Sequence, residues 1–161
     1  KENCKVDKIY ASTLKRAKET ADILESEVAV APIFMEELRE FNNGLIAGLS
    51  REEAEKRYPK PKFLPMHKAV YEMESMLAFR QRAEYALSKL LWESPKDETI
   101  AVISHGGMIN QLYQCFLRLP VESDIRFATG DTGIHCWHFD DHGRYIMFSN
   151  YTGHTLSLNW A

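Results

Sequence analysis

The chain has 161 residues, 45% hydrophobic and 27% charged, with 20 Lys plus Arg against 23 Asp plus Glu and a net charge of −3. A chain of this size buries roughly 69% of the surface its unfolded form exposes, enough for one cored domain. The charge balance excludes a generally basic, nucleic-acid-coating protein. No apolar run approaches the ~18 residues of a membrane span. Three widely spaced cysteines, Cys4, Cys115 and Cys136, make no disulfide framework and suit a reducing, cytoplasmic setting.

Strand and helix patterns alternate along the chain. Residues 6–11 are short, apolar and β-rich. Leu14, Ala17, Ala21 and Leu24 then recur at three- and four-residue steps, one buried helical stripe. Residues 28–33 read as a second strand, at a sheet edge because of Pro32. Residues 35–49, rich in Gly and Asn, read as an ordered loop. Ser50 with Glu53 is a capping-box signal for a short helix ending near Tyr58 and Pro59. Three prolines make residues 59–66 irregular. Ser75 caps a long helix with Met76, Phe79, Ala83, Leu87 and Leu90 on one face. Residues 99–104, TIAVIS, form a near-continuous apolar strand of the kind buried on both faces of a parallel sheet. Gly106 and Gly107 lead into a helix over 108–119. Residues 133–139 and 144–149 flank Asp140-Asp141-His142-Gly143, a hairpin signal. The expected fold is a single α/β domain, a mostly parallel central sheet with helices on both faces.

Two strand-to-helix junctions carry the chemistry. The first holds Ser12, read as a helix cap, and Arg16 one turn into the helix; the second is Ser104-His105-Gly106-Gly107. In α/β sheets, ligands gather outside the carboxyl ends of strands. Helix N-termini there offer free N–H groups to anions, and an arginine fork matches phosphate oxygens. Singly, each residue has a plainer reading: a cap, a solvated arginine, a core histidine.

As a set, SxLxRAxxT followed by a strand ending in SHGG resembles the histidine phosphatase superfamily, the phosphoglycerate-mutase-like fold. Leu38-Arg39-Glu40 with Gly44 and Gly48 resembles the segment carrying that family's acidic residue. Glu74-Ser75 with Arg82 resembles its GES…R helix start, and Thr132-Gly133 its closing strand. The resemblance implies a metal- and cofactor-independent phosphatase acting on a small phosphorylated molecule through a phosphohistidine. Arg16 would clamp the transferring phosphoryl group and His105 would stabilise its charge. Glu40, and not Glu36 or Glu37, would be general acid and then base. Ser12 and the amides of Gly106 and Gly107 would be supporting donors. The Glu40-Phe41-Asn42-Asn43-Gly44 segment and a short insert favour phosphatase over phosphoglycerate mutase.

One departure is large. The family's nucleophile lies in an Arg-His-Gly motif on its first strand. No Arg-His-Gly occurs here, and the first histidine is His67. The expectation is that the nucleophile and its strand lie upstream of Lys1, leaving an open strand edge beside residues 100–104. The alternative is an inactive, truncated phosphoryl-binding module.

Residues 56–71 carry Lys56, Arg57, Lys60, Lys62 and Lys68 and no acid. They are either a solvated loop or a lid in which Lys60 and Lys62 attract an anionic substrate. His135, Cys136 and His138 are not a metal set, because 135 and 138 point to opposite faces of a strand. Ser104 lacks the G-x-S-x-G setting of a serine hydrolase. Neither nucleic acid nor membrane is expected as a partner; a homodimer is.

Overall fold

The computed structural model describes residues 5–155; Cys4 therefore lies outside the described residues. Three parallel strands form the first ladder: β1 (Lys8–Ser12), β2 (Pro32–Met35) and β3 (Ile100–Ile103), in the order β2-β1-β3. β1 is the central and most buried strand: Ile9, Tyr10, Ala11 and Ser12 are each at most 1% exposed. Ala11 pairs with both Phe34 and Ile103, so the three strands end at one level.

α1 (Lys15–Val28) packs on this ladder through Ala17 and Ala21, whose small side chains bring helix and sheet close. The helix runs to Val28, and Ala29 ends it in the left-handed region at φ 56°. The second strand therefore starts at Pro32 and not at residue 28. Pro32 opens an edge strand, a position where its missing N–H costs no ladder bond. Ser50 caps α2 (Arg51–Arg57) with both halves of the capping box formed. Ser75 caps α3 (Met76–Glu93), which buries Phe79, Ala83, Ala86, Leu87 and Leu90. Met76 is 43% exposed and does not join that face.

α4 (Gly106–Phe116) packs along α3. Tyr10, the buried face of α3, and Met108, Leu112 and Phe116 of α4 form one core cluster, against which Ile100 and Val102 rest. Tyr10 pairs with Val102 in register, so both face α3 and α4, and strand alternation turns Ile9 and Ala11 the other way.

The hairpin β4 (Ile134–Phe139) and β5 (Arg144–Tyr151) is antiparallel. Asp140 Oδ1 accepts from the amides of His142 and Gly143 and so closes its turn. Trp137 stacks against Phe116 and meets Tyr113 edge-on, which fixes the hairpin to α4. This pair does not extend the parallel sheet: the two ladders are separate. Among the described residues β3 is therefore an edge strand, with the open edge expected beside residues 100–104. Its four residues are half-buried, and among the described residues its second edge has no ladder partner.

Candidate active site

The shared level at which β1, β2 and β3 end brings three junctions together. β1 ends in Ser12, and α1 starts three residues later. Ser12 is not the helix cap: Leu14 holds that position, with no side-chain bond. The Ser12 hydroxyl instead accepts from the Leu14 amide (3.2 Å) and bonds His105 Nε2 (2.8 Å). Arg16, the second residue of α1, is exposed and donates from Nε to His105 Nδ1 (3.0 Å).

These two contacts fix the imidazole. Nδ1 accepts from a guanidinium, so it carries no proton, and in the neutral ring the proton sits on Nε2 and points at Ser12 Oγ. Burial pushes the His105 pKa below 6.5; the Arg16 charge pushes the same way, and Glu40 opposes it. His105 is therefore neutral at neutral pH, 6% exposed and locked in one tautomer. Ser12 Oγ accepts twice, which leaves its own proton to be donated outward.

Glu40 reaches the same group from the segment after β2. A short 3-10 turn, Glu36–Leu38, redirects the chain. Glu40 Oε1 accepts from the Phe41 amide (2.8 Å) and Oε2 from the Gly107 amide (3.0 Å). Gly107 was expected as a free donor, but its amide is engaged by this carboxylate. A Cβ there would meet Glu40 Oε1, so a larger residue would push the carboxylate aside. At Gly106 a Cβ would meet nothing, so open space lies beside it.

Arg82 holds the acid-bearing segment in place. From α3 it donates to the carbonyls of Glu37 (2.8 Å), Arg39 (2.6 Å) and Glu40 (3.3 Å), and it pairs with Glu74 (2.6 Å). Glu74 also accepts from the Asn42 amide (2.7 Å). Ser104 Oγ donates to the Leu38 carbonyl (2.8 Å). Glu74 and Arg82 stood in the sequence as a motif, but nothing local reveals that they grip a backbone some forty residues upstream.

Lys60 and Lys62 are exposed, and among the described residues neither makes an ion pair or hydrogen bond. The structure does not bring them to Arg16, Glu40 or His105 by any such contact. Their segment is ordered by the Tyr71 hydroxyl on the Pro59 carbonyl (2.9 Å) and by Tyr71 against Tyr58. It meets the acid-bearing loop where the Leu45 amide donates to the Tyr71 carbonyl (2.8 Å).

His135 bonds Tyr113, Ser149, Thr129 and the Asn150 amide, whereas His138 faces Asp140 and Tyr145. Among the described residues no group of three or more His, Cys, Asp or Glu is placed to hold a metal, and no helix is long and apolar enough to cross a membrane.

Comparison with known proteins gives this geometry a setting. Over 116 residues the chain is 32% identical to phosphoglycerate mutase-like protein 4 of Arabidopsis thaliana, which covers 68% of this chain and 50% of that protein. It is 30% identical over 107 residues to the uncharacterized phosphatase PhoE of Bacillus subtilis, covering 66% and 51%. The chain thus spans about half the length of these curated relatives. The alpha-ribazole phosphatase of Shigella flexneri superposes with a TM-score of 0.79 over 92% of this chain and 75% of that one, at 19% identity, a likeness of fold. A family model matches residues 1–152. By that match the chain belongs to the histidine phosphatase superfamily, branch 1.

Proposed function

We propose that this domain provides the phosphoryl-binding and acid–base half of a metal-independent phosphomonoesterase that acts through a phosphohistidine. One observation carries the reading: Arg16 and Ser12 hydrogen-bond His105, and Glu40 takes the amide of Gly107 two residues on, all where three parallel strands end. The Bacillus subtilis relative, named as a phosphatase, supports the reaction class.

Arg16 spends only Nε on His105, and its Nη groups remain to take two phosphoryl oxygens as a fork. His105 orients that fork and donates through Nε2 to Ser12, whose hydroxyl proton serves a third oxygen. The donors are in place before substrate arrives, so charge gathering on the phosphoryl oxygens meets little reorganisation. The nucleophile is a histidine nitrogen on a strand beside β3, outside this sequence. It forms the N–P bond as the bond to the leaving oxygen breaks, and Glu40 gives that oxygen its proton. Glu40 then takes a proton from water; the water oxygen attacks phosphorus, the N–P bond breaks, and inorganic phosphate leaves. The substrate is a small phosphate monoester.

The test is turnover of p-nitrophenyl phosphate, with trapping of acid-labile phosphate, on the protein with an Arg-His-Gly strand ahead of Lys1. That protein should label on histidine, and Glu40→Gln should slow turnover about 10²–10⁴-fold. Residues 1–161 alone should give neither label nor turnover. Turnover from residues 1–161 would place the nucleophile within them and overturn the reading.

A further inference from the structure

The far end of α4 holds a second group of cations that the proposed reaction does not use. A cleft of about 410 Å³ lies between α3, the end of α4 and the start of β5, lined by Arg80, Arg118, Arg144, Glu84, Leu87 and Leu119. His105 caps the N-terminus of α4, and the ten-residue rise to Phe116 sets the cleft about 15 Å further along the helix. Three guanidinium groups face one carboxylate there, a local +2 in a protein of net charge −3.

Part of this charge has structural work. Arg80 pairs with Glu84 (2.8 Å) and donates to the Leu119 carbonyl (2.8 Å). Arg144 donates to the carbonyls of Phe116 and Cys115. The remainder is unmatched. Arg80 is 6% exposed, and among the described residues its Nη1 has no hydrogen-bond partner. Burial, and after it the neighbouring Arg118 charge, holds the Arg144 pKa below its ordinary value.

Arg118 gives the most telling sign. The Leu119 amide donates to Gln114 O (2.8 Å) and the Arg118 amide to Cys115 O (3.0 Å), which closes α4 in a Schellman-type turn. The turn needs a left-handed residue at position 118, and Arg118 has φ 55°. Glycine takes that conformation most readily. An arginine there is disfavoured by the fold, and among the described residues it makes no ion pair in return.

We propose that this cleft binds a small oxyanion of at least two negative charges, with exposed Arg118 and half-buried Arg144 as the clamp and Arg80 as the buried donor. Its volume suits a small metabolite, and forked guanidinium donors match phosphoryl or carboxylate oxygens.

The test uses calorimetric titration with inorganic pyrophosphate, and in a second arm citrate, on protein carrying Arg16→Ala so that the proposed phosphoryl site is out of play. At least one anion should bind with one-to-one stoichiometry, and the tighter arm names the group preferred. Arg118→Gly added to that background should weaken binding at least tenfold while raising the melting temperature of the unliganded protein, since it removes the charge and relieves the left-handed turn. Binding that survives Arg118→Gly unchanged would overturn the proposal. So would failure of both anions to bind, or an equal effect of sodium chloride at matched ionic strength.

Discussion

Single residues in this site are set by partners far away in sequence. A hydroxyl at a strand-to-helix junction reads as a cap, and Ser12 was expected to be one. Its actual partner, His105, lies 93 residues on, and only the β1–β3 register brings the two together. The same holds for Gly107, whose amide Glu40 claims across 67 residues. Arg82 is the residue on which the geometry of Glu40 depends. Arg82→Ala should cost about 2–3 kcal/mol in urea unfolding, because three carbonyls and Glu74 lose a half-buried partner. Arg82→Lys should recover less than half, as an ammonium cannot span the three carbonyls.

The histidines add a dependence on pH. His105 and His135 are both held below 6.5, each chiefly by burial. As pH falls, the unfolded chain takes up these protons before the folded one does. Their contribution to stability is therefore complete above 6.5 and is lost as pH drops through the window beneath it, about 1.4 kcal/mol for each unit of difference. Urea midpoints at pH 7.5 and 5.0 should fall accordingly, and His135→Asn should shrink the difference.

Elements with strong local signals matched their patterns, and those whose limits depend on neighbours did not. The capping box at Ser50 and the cap at Ser75 formed as expected, because each joins residues only three apart. The limits of β2 shifted because Val28 to Ala31 is apolar under either reading. What ends α1 is the left-handed Ala29, which no propensity favours. The TIAVIS strand is apolar on both sides but half-buried, since one of its edges has no neighbour among the described residues. α2 has no buried residue, so its cap carries much of its stability. Ser50→Ala should cost that helix about 1 kcal/mol. Faster amide exchange at Ala54 and Tyr58, with an almost unchanged global melting temperature, is the expected outcome. The basic segment after α2 is tied to the acid-bearing loop through Tyr71 and Leu45. If the proposed phosphatase reading holds, Lys60→Glu with Lys62→Glu should raise KM several-fold at low salt and leave kcat nearly unchanged. An unchanged KM would leave a solvated loop.

At the scale of the whole molecule, two ladders share one core around α3 and α4 without a hydrogen bond between their strands. Tyr145, Ile146, Met147 and Phe148 lie exposed on β5. Unpaired edges beside exposed apolar side chains invite pairing with another chain. The α/β class and the family were legible in the sequence because they rest on periodicity and short motifs. The site's hydrogen-bond plan and the arginine cleft were not, since both arise from contacts between segments whose pairing no local pattern encodes.

As proposed, Arg16, Ser12, His105 and Glu40 form one phosphoryl-binding site. Its most direct test is a titration of the ¹⁵N-labelled protein with inorganic phosphate, followed by NMR at the Arg16 Nε–H, the His105 ring and the Gly106 amide. All three signals should shift together and saturate on one binding curve, and Arg16→Ala should abolish the shift at His105. Phosphate that leaves these signals unmoved while it shifts others would contradict the proposal.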